Sequence, residues 1–123
     1  MQIRSRCSDR PDYCYAFVVM PKVVTIMTTV ARAEDAARIA DMLLRDKLAA
    51  CIQETTIRSR YRWKNEIHCE PELLLLAKTT ADRAGAAVSA IRKIHPYDLP
   101  EILVLPVVGG LAEYMNWIEA ETR

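Results

Sequence analysis

Glycine is scarce in this sequence, with only 3 residues among 123. Neither of two glycine-rich phosphate-binding patterns, GxxxxGK and GxGxxG, occurs, so the sequence predicts no nucleotide cofactor. A Ser-His-Asp order, a paired-acid motif and the metalloprotease pattern HExxH are also absent. We therefore expect a protein that is not an enzyme.

The chain also lacks an excess of either charge. Lys and Arg total 17 against 16 Asp and Glu, a net charge of +1, which gives no general attraction to nucleic acid or to an anionic membrane. The apolar run at 13–20 is far too short to span a bilayer and is short for a signal-peptide core. We expect neither a nucleic-acid nor a membrane partner.

No CxxC pair is present among the four cysteines, and a chain that is 51% hydrophobic can build a core without disulfides. We expect free thiols in the reducing cytoplasm, with Cys51 a structural thiol. His68 and Cys69 are the other pair of soft donors, but neighbours on one strand point to opposite faces and cannot chelate together.

The chain divides near residue 20. Residues 1–20 carry scattered arginines, a proline and no helical period, and we predict that they form a partly disordered N-terminal extension. Residues 21–123 have the size of one domain.

From Lys22 onward the hydrophobic pattern predicts seven elements. Strands are predicted at 23–29, 49–63, 72–78 and 102–106 from β-branched, alternating or continuous apolar runs. Three helices are predicted: one at 33–46, one from the TTAD capping pattern at 79–82 to Ile94, and one at 111–122. The order β-α-β-β-α-β plus a terminal helix predicts an α+β, ferredoxin-like sandwich with an extended β-hairpin.

The predicted sheet needs a cover that one chain does not supply. ELLLLAK, at 72–78, has the continuous apolar pattern of a strand buried on both faces, yet two helices cover only one. At about 3.3 Å per residue, strand 49–63 would reach roughly 50 Å and overshoot its own sheet. Either it bends at a bulge or its far half pairs with another subunit. We expect a closed oligomer, because free strand edges invite aggregation.

Several stretches, in order, resemble one family: KLAACIQ, YRWKNEI, LLLLAKTT, IRKIHPYDLPEILVLPV and YMNWIEAET. They are similar to CutA, the divalent-cation tolerance proteins, and the resemblance runs from about Lys22 to the C-terminus. It implies a ferredoxin-like subunit in a tight homotrimer, a role in the response to divalent metal ions, and binding of copper or another divalent cation. The trimer also resembles the PII signalling proteins in architecture, which says little about function.

The family's copper ligands are a first-strand Cys and two adjacent histidines before the HPY proline. These positions correspond here to Thr28, Ile94 and His95. Copper prefers imidazole and thiolate, so Thr28 and Ile94 lack suitable donors and only His95 is left as a metal ligand.

His95 also has a structural interpretation. At a helix end its imidazolium would interact with the helix dipole and the last carbonyls, and Pro96 would turn the chain toward the next strand. Tyr97, Asp98 and Glu101 are candidate supporting polar residues, which either hold a hard cation weakly with His95 or hydrogen-bond one another.

An arginine row lies on one face of the alternating segment that ends at Trp63: Arg58, Arg60 and Arg62. These residues are interpreted either as a solvated row with salt bridges to Glu66, Glu70 or Glu72, or as an anion or acidic-partner surface. Tyr61, Trp63 and Trp117 are predicted interface and core anchors.

Three functions remain open at this point. The first is a trimer that responds to divalent metal ions and binds copper or another such cation. The second is a PII-like module that binds a small ligand or a protein partner in clefts between subunits. The third is a scaffolding trimer without a specific metal site.

Overall fold

Four strands and three helices follow one another along residues 21–123, the part of the chain that the computed structural model describes. In chain order they are β1 (Val23–Val30), α1 (Ala33–Arg45), β2 (Cys51–Trp63), β3 (Glu66–Thr80), α2 (Ala81–Ile94), β4 (Ile102–Pro106) and α3 (Ala112–Glu121). The α+β architecture and the order of elements predicted from the sequence are confirmed. The prediction for residues 1–20 lies outside the described residues.

All strand pairings are antiparallel, and the order across the sheet is β2-β3-β1-β4. The two central strands carry the β-branched and leucine-rich runs, while β2 and β4 form the edges. This order, with two helices connecting the strands, is the ferredoxin-like topology.

The hydrophobic core lies between the sheet and the two helices α1 and α2. Because side chains alternate along a strand, Ile26 and Val30 of β1 share one face with Leu75 and Ala77 of β3. That face packs on the apolar stripes of the helices, whose buried members are Ala36, Ile39, Leu43, Ala87 and Ile91. These side chains are at most 3% exposed, so their packing fixes the sheet relative to both helices.

The hairpin of β2 and β3 extends beyond the rest of the sheet. Its pairing runs without a slip from Cys51 opposite Lys78 to Trp63 opposite Glu66, so β2 has no bulge in this register. β1 pairs with β3 only from Leu73 onward, which leaves 57–63 and 66–72 as a two-stranded ribbon. At about 3.3 Å per residue, the ribbon projects roughly 23 Å.

Lys64 and Asn65 form the two-residue turn of this hairpin. Their φ angles are 50° and 65°, the left-handed values that type I′ hairpin turns require at both central residues. Such turns follow the natural twist of the strands, so the register stays regular up to the tip.

The other face of the sheet, away from α1 and α2, remains partly uncovered in one chain. Leu74 and Leu76 of β3 are half-buried, whereas Leu75, which faces the helices, is 2% exposed. Across β1, Leu103 and Leu105 of edge strand β4 lie on the same face as Leu76 and are 53% and 39% exposed. The sheet therefore presents aliphatic side chains that this chain does not bury.

Candidate functional site

The segment HPYDLPE, at 95–101, forms a corner between α2 and β4 that is called the HPY corner below. His95 is the C-cap residue of this helix, and its backbone is extended, with φ −68° and ψ 132°. Pro96 excludes the helical conformation for the residue before it, so the chain leaves the helix here. The His95 side chain is buried, with 8% exposed.

The imidazole of His95 uses both nitrogens inside the chain. The backbone N–H of Tyr97 donates to Nδ1 at 3.1 Å, so Nδ1 carries no proton. Nε2 therefore carries the proton and donates it to the carbonyl oxygen of Thr29 at 2.9 Å. The ring is thus a neutral bridge from the end of β1 to the corner, which differs from the imidazolium considered in the structural interpretation of His95.

Burial is the main cause that lowers the pKa of His95 from its ordinary value of 6.5. The hydrogen bond to the Thr29 carbonyl and the negative charges of Asp35 and Glu72 act in the opposite direction, while the charge of Arg92 adds to the lowering. The neutral ring is therefore the form that this environment favours near neutral pH.

Tyr97 connects the corner to the hairpin. Its hydroxyl donates to Oε2 of Glu72 at 2.7 Å, and its ring stands edge-on to that of His95 with centroids 4.9 Å apart. Burial, followed by the hydrogen bond to Glu72, raises the pKa of Tyr97 well above its ordinary value. The corner is held to both β1 and β3 by these side chains.

A cavity of about 630 Å³ opens between the HPY corner and the base of the hairpin. The corner supplies Tyr97, Asp98, Leu99 and Glu101, and the end of β1 supplies Thr29. The hairpin wall consists of Ser59, Arg60, Tyr61, Trp63, Glu70 and Glu72. Cavities of this size accommodate small organic molecules.

The structure brings Tyr97, Asp98 and Glu101 together along this cavity, while His95 lies behind them with its nitrogens engaged. Within residues 21–123 no three His, Cys, Asp or Glu side chains are arranged to hold a metal ion. The supporting residues predicted from the sequence therefore share a cavity wall rather than a coordination sphere around His95.

The three family copper positions do not fit copper in this chain. Thr28 is 2% exposed, on the strand face that packs against the helices, and its hydroxyl has no hydrogen-bond partner in the described residues. Ile94 offers no donor atom, and His95 has no free lone pair because Nδ1 accepts from Tyr97.

The arginine row lies on the opposite face of the hairpin from its glutamates. In the observed register, Arg58, Arg60 and Arg62 alternate with Tyr61 and Trp63 and stand opposite Pro71, Cys69 and Ile67. Glu66, Glu70 and Glu72 point to the other face. Among the described residues none of these arginines forms an ion pair, so the intrachain salt bridges considered for them are not made.

The cysteines of the described part are unpaired. Cys51 is half-buried and Cys69 is exposed. The register places His68 opposite Tyr61, with the two rings stacked at 5.3 Å, and Cys69 opposite Arg60 on the other face. His68 and Cys69 thus lie on opposite faces, as the alternation predicts.

The sequence interpretation missed the cavity and its hairpin wall. The sequence pattern presents Tyr61 and Trp63 as anchors, and Glu70 and Glu72 only as partners for the arginines. The available signal was the two-residue turn at Lys64 and Asn65, because it fixes a register in which aromatic and acidic residues share one face.

The fold and the cavity define a class: a small ferredoxin-like α+β subunit with a projecting hairpin and an acidic, aromatic cavity at the hairpin's base. The family model described as CutA1 divalent ion tolerance protein matches residues 24–121. This chain belongs to the CutA family.

Curated relatives agree with this assignment. The chain is 38% identical over 98 residues to the divalent-cation tolerance protein CutA of Thermus thermophilus, covering 79% of this chain and 95% of the relative. It is 37% identical over 117 residues to the protein of the same name from Pectobacterium atrosepticum, covering 94% and 99%.

Solved structures agree as well. CutA from Xylella fastidiosa superposes with a TM-score of 0.80 at 36% identity, covering 83% of this chain and 99% of that chain. A protein from Archaeoglobus fulgidus, described as a periplasmic divalent cation tolerance protein CutA, gives a TM-score of 0.80 at 31% identity, covering 82% and 99%.

None of the helices in residues 21–123 is both long and apolar enough to cross a membrane.

Proposed function

We propose that this chain acts as a homotrimer in the cellular response to divalent metal ions. The observation that carries the trimer is the uncovered aliphatic face, where Leu103 and Leu105 of the edge strand continue the surface of Leu76. The strand edge of β4 and the projecting ribbon offer the unpaired backbone groups that a neighbouring copy needs for sheet extension.

The metal-response role is supported by relatives that carry the name divalent-cation tolerance protein. We place the protein in the cytoplasm, where the free thiols of Cys51 and Cys69 would remain reduced. Cell fractionation tests this placement, since recovery in the periplasmic fraction would contradict it.

Metal contact at His95, with copper or another divalent cation, is the most specific part of this proposal. A metal ion there must displace a hydrogen bond of the ring, because Tyr97 N–H and the Thr29 carbonyl occupy both nitrogens. We therefore expect weak binding that involves the nearby carboxylates Asp98 and Glu101.

Titration calorimetry with Cu²⁺ and Zn²⁺ on wild type, His95→Ala and His68→Ala tests this contact. The proposal predicts that His95→Ala loses heat of binding while His68→Ala keeps it. Identical isotherms for all three proteins would remove His95 from the site. Metal analysis of trimer purified from copper-grown cells measures occupancy independently.

The cavity favours a second function, that of a PII-like small-ligand module. Its volume of about 630 Å³ exceeds what a metal ion requires, and its walls join two chain segments that are distant in sequence. Retention of a small molecule through purification, detected by native mass spectrometry, would support this function over a scaffolding trimer.

The arginine row is the proposed surface for an acidic partner. Arg58, Arg60 and Arg62 repeat at every second residue, about 6.6 Å apart, and none of their cross-strand partners Pro71, Cys69 and Ile67 carries a carboxylate. The triple change to Ser should lower the salt concentration that elutes the protein from immobilised polyglutamate. Changing Arg45, Arg92 and Lys93 to Ser removes the same charge from the helices and should have a smaller effect. Equal effects would indicate net charge alone.

A further inference from the structure

Four carboxylates face the cavity at the base of the hairpin. Glu70 and Glu72 belong to the hairpin wall, and Asp98 and Glu101 belong to the corner wall. None of the four forms an ion pair with a Lys or Arg side chain of residues 21–123. Within the described part of the chain, Arg60 is the one basic residue along the cavity, and its side chain belongs to the opposite face of the hairpin, so negative charge is in excess there at neutral pH.

Two tyrosines fix the hairpin carboxylates in place. The hydroxyl of Tyr61 donates to Oε2 of Glu70 at 3.1 Å, and that of Tyr97 donates to Oε2 of Glu72 at 2.7 Å. Each carboxylate keeps its second oxygen for another donor. The negative charge of this wall is therefore positioned before any ligand arrives, which lowers the cost of binding.

The spacing of the four carboxylates does not gather them around one small metal ion and suits a longer cation. A metal ion needs its oxygen ligands within about 2.0–2.6 Å, and no such group of three exists in the described residues. Glu70 and Glu72 are two residues apart on the same face of one strand, so their Cα atoms are about 6.6 Å apart. A ligand that pairs with the carboxylates of both walls must therefore carry two or more positive groups at a distance from one another.

Aromatic rings supply the rest of the lining. Tyr61 and Trp63 are 39% and 42% exposed on the face that carries the glutamates. The ammonium of Lys64 already lies 6.0 Å from the centroid of the Trp63 ring, the distance range of cation–π attraction. A ring face that receives an ammonium from its own chain is also suited to one from a ligand.

We propose that this cavity binds a linear aliphatic polyamine. Its ammonium groups would pair with Glu70 and Glu72 on one wall and with Asp98 and Glu101 on the other, while its methylene chain would lie along Tyr61 and Trp63. This inference deepens the small-ligand function proposed above and rests on the cavity remaining accessible in the trimer.

Calorimetric titration of the full-length wild-type protein with spermidine, putrescine, butylamine and Mg²⁺ at 0.15 M NaCl is the first test. The proposal predicts that affinity rises with the number of ammonium groups and that spermidine binds at least tenfold more tightly than Mg²⁺. Equal affinity for butylamine and spermidine, or for Mg²⁺ and spermidine, would overturn it. No detectable heat with spermidine would overturn it as well.

Paired variants test the location. Glu70→Gln with Asp98→Asn removes one carboxylate from each wall and keeps an acceptor oxygen for Tyr61, and it should weaken spermidine binding at least tenfold. Asp41→Asn with Glu121→Gln removes the same charge from exposed helix positions and should change affinity less than twofold. Equal weakening by both pairs would refute the cavity as the site. Trp63→Leu should weaken binding severalfold if the ring contacts the ligand.

Two further measurements on the same preparation, the molar mass of the protein and its binding of Cu²⁺, distinguish a failure of this inference from a failure of the broader proposal. A trimer that ignores spermidine overturns only the polyamine inference. A monomer that binds spermidine with the predicted ranking supports the cavity and contradicts the trimer.

Discussion

At the scale of single residues, the most informative side chain is His95, because its neutral ring joins β1 to the HPY corner. Protonation of Nδ1 would remove the acceptor for the Tyr97 N–H and place a charge in a buried site. Burial lowers its folded-state pKa below the ordinary value of 6.5, so the unfolded chain takes up this proton more readily than the folded one.

The sign of the pH effect follows from linkage. The contribution of His95 to stability is fully present above pH 6.5, the ordinary value, and it is lost as pH falls from there through the lower folded-state pKa. We expect the difference in free energy of unfolding between wild type and His95→Gln to shrink over this acidic range. Urea unfolding at several pH values measures it, and a pH-independent difference would contradict the neutral ring.

Burial of the Thr28 hydroxyl lowers the stability of the fold, because no hydrogen bond within residues 21–123 compensates for its loss of water. Its buried hydroxyl has no hydrogen-bond partner among the described residues, whereas the hydroxyl of buried Thr122 donates to the Ile118 carbonyl at 2.9 Å. Thr28→Val keeps the shape and should raise the free energy of unfolding by about 1 kcal/mol. Thr122→Val should lower it by a similar amount. Urea unfolding that shows a loss of stability for Thr28→Val would refute the unsatisfied hydroxyl.

At the scale of elements, the end of α1 shows how one residue terminates a helix. Lys47 has φ 56°, its N–H bonds to the Leu44 carbonyl at 3.2 Å, and the N–H of Leu48 bonds to the Leu43 carbonyl at 2.8 Å. These two bonds form a Schellman motif, in which glycine is preferred at the left-handed position.

Lys47→Gly should therefore raise the free energy of unfolding by about 0.5–1 kcal/mol. The preceding residue, Asp46, has φ −86°, so Asp46→Gly gains no relief from strain and should be destabilising. Thermal and urea unfolding of the two variants compare them directly. A destabilised Lys47→Gly would show that contacts of its side chain outweigh the backbone strain.

The same scale shows how far the sequence predicts this fold. The helix 33–46 and the strand 102–106 carried clear periodicity or β-branched runs, and the structure places them within one residue of those bounds. The strand predicted at 72–78 begins at Glu66 instead. The sequence pattern does not predict a strand at 66–71, because this segment is largely polar and contains Pro71. Its strand conformation comes from pairing with β2, which a local pattern does not reveal.

The candidate site was less predictable for a related reason. The HPY corner was visible from its prolines and histidine, but the cavity arises where residues near position 98 meet residues near positions 61 and 70. Local sequence does not encode that approach. It follows from the sheet order and from the hydrogen bond between Tyr97 and Glu72.

At the scale of the whole molecule, exposed apolar side chains are the dominant feature. Leu103 and Leu105 of β4 are exposed on the uncovered face, and three aromatic residues, Tyr61 and Trp63 of the hairpin and Trp117 of α3, are each about 40% exposed. An exposed hydrophobic edge strand is a site of association.

Leu103→Lys with Leu105→Lys should therefore disrupt the proposed trimer. Burying two ammonium groups against aliphatic side chains without partners is strongly unfavourable. Leu44→Lys, on α1 at 44% exposed, adds a charge at a similarly exposed leucine away from this face and should leave assembly intact. Sedimentation velocity distinguishes the species, and an unchanged sedimentation coefficient for the β4 variant would place the interface elsewhere.

The molar mass in solution tests the central claim most directly. Light scattering coupled to size exclusion at about 10 μM should give about 42 kDa, three times the 14.0 kDa of one chain, with circular dichroism showing helices and strands. A folded species of 14.0 kDa under the same conditions would contradict the trimer.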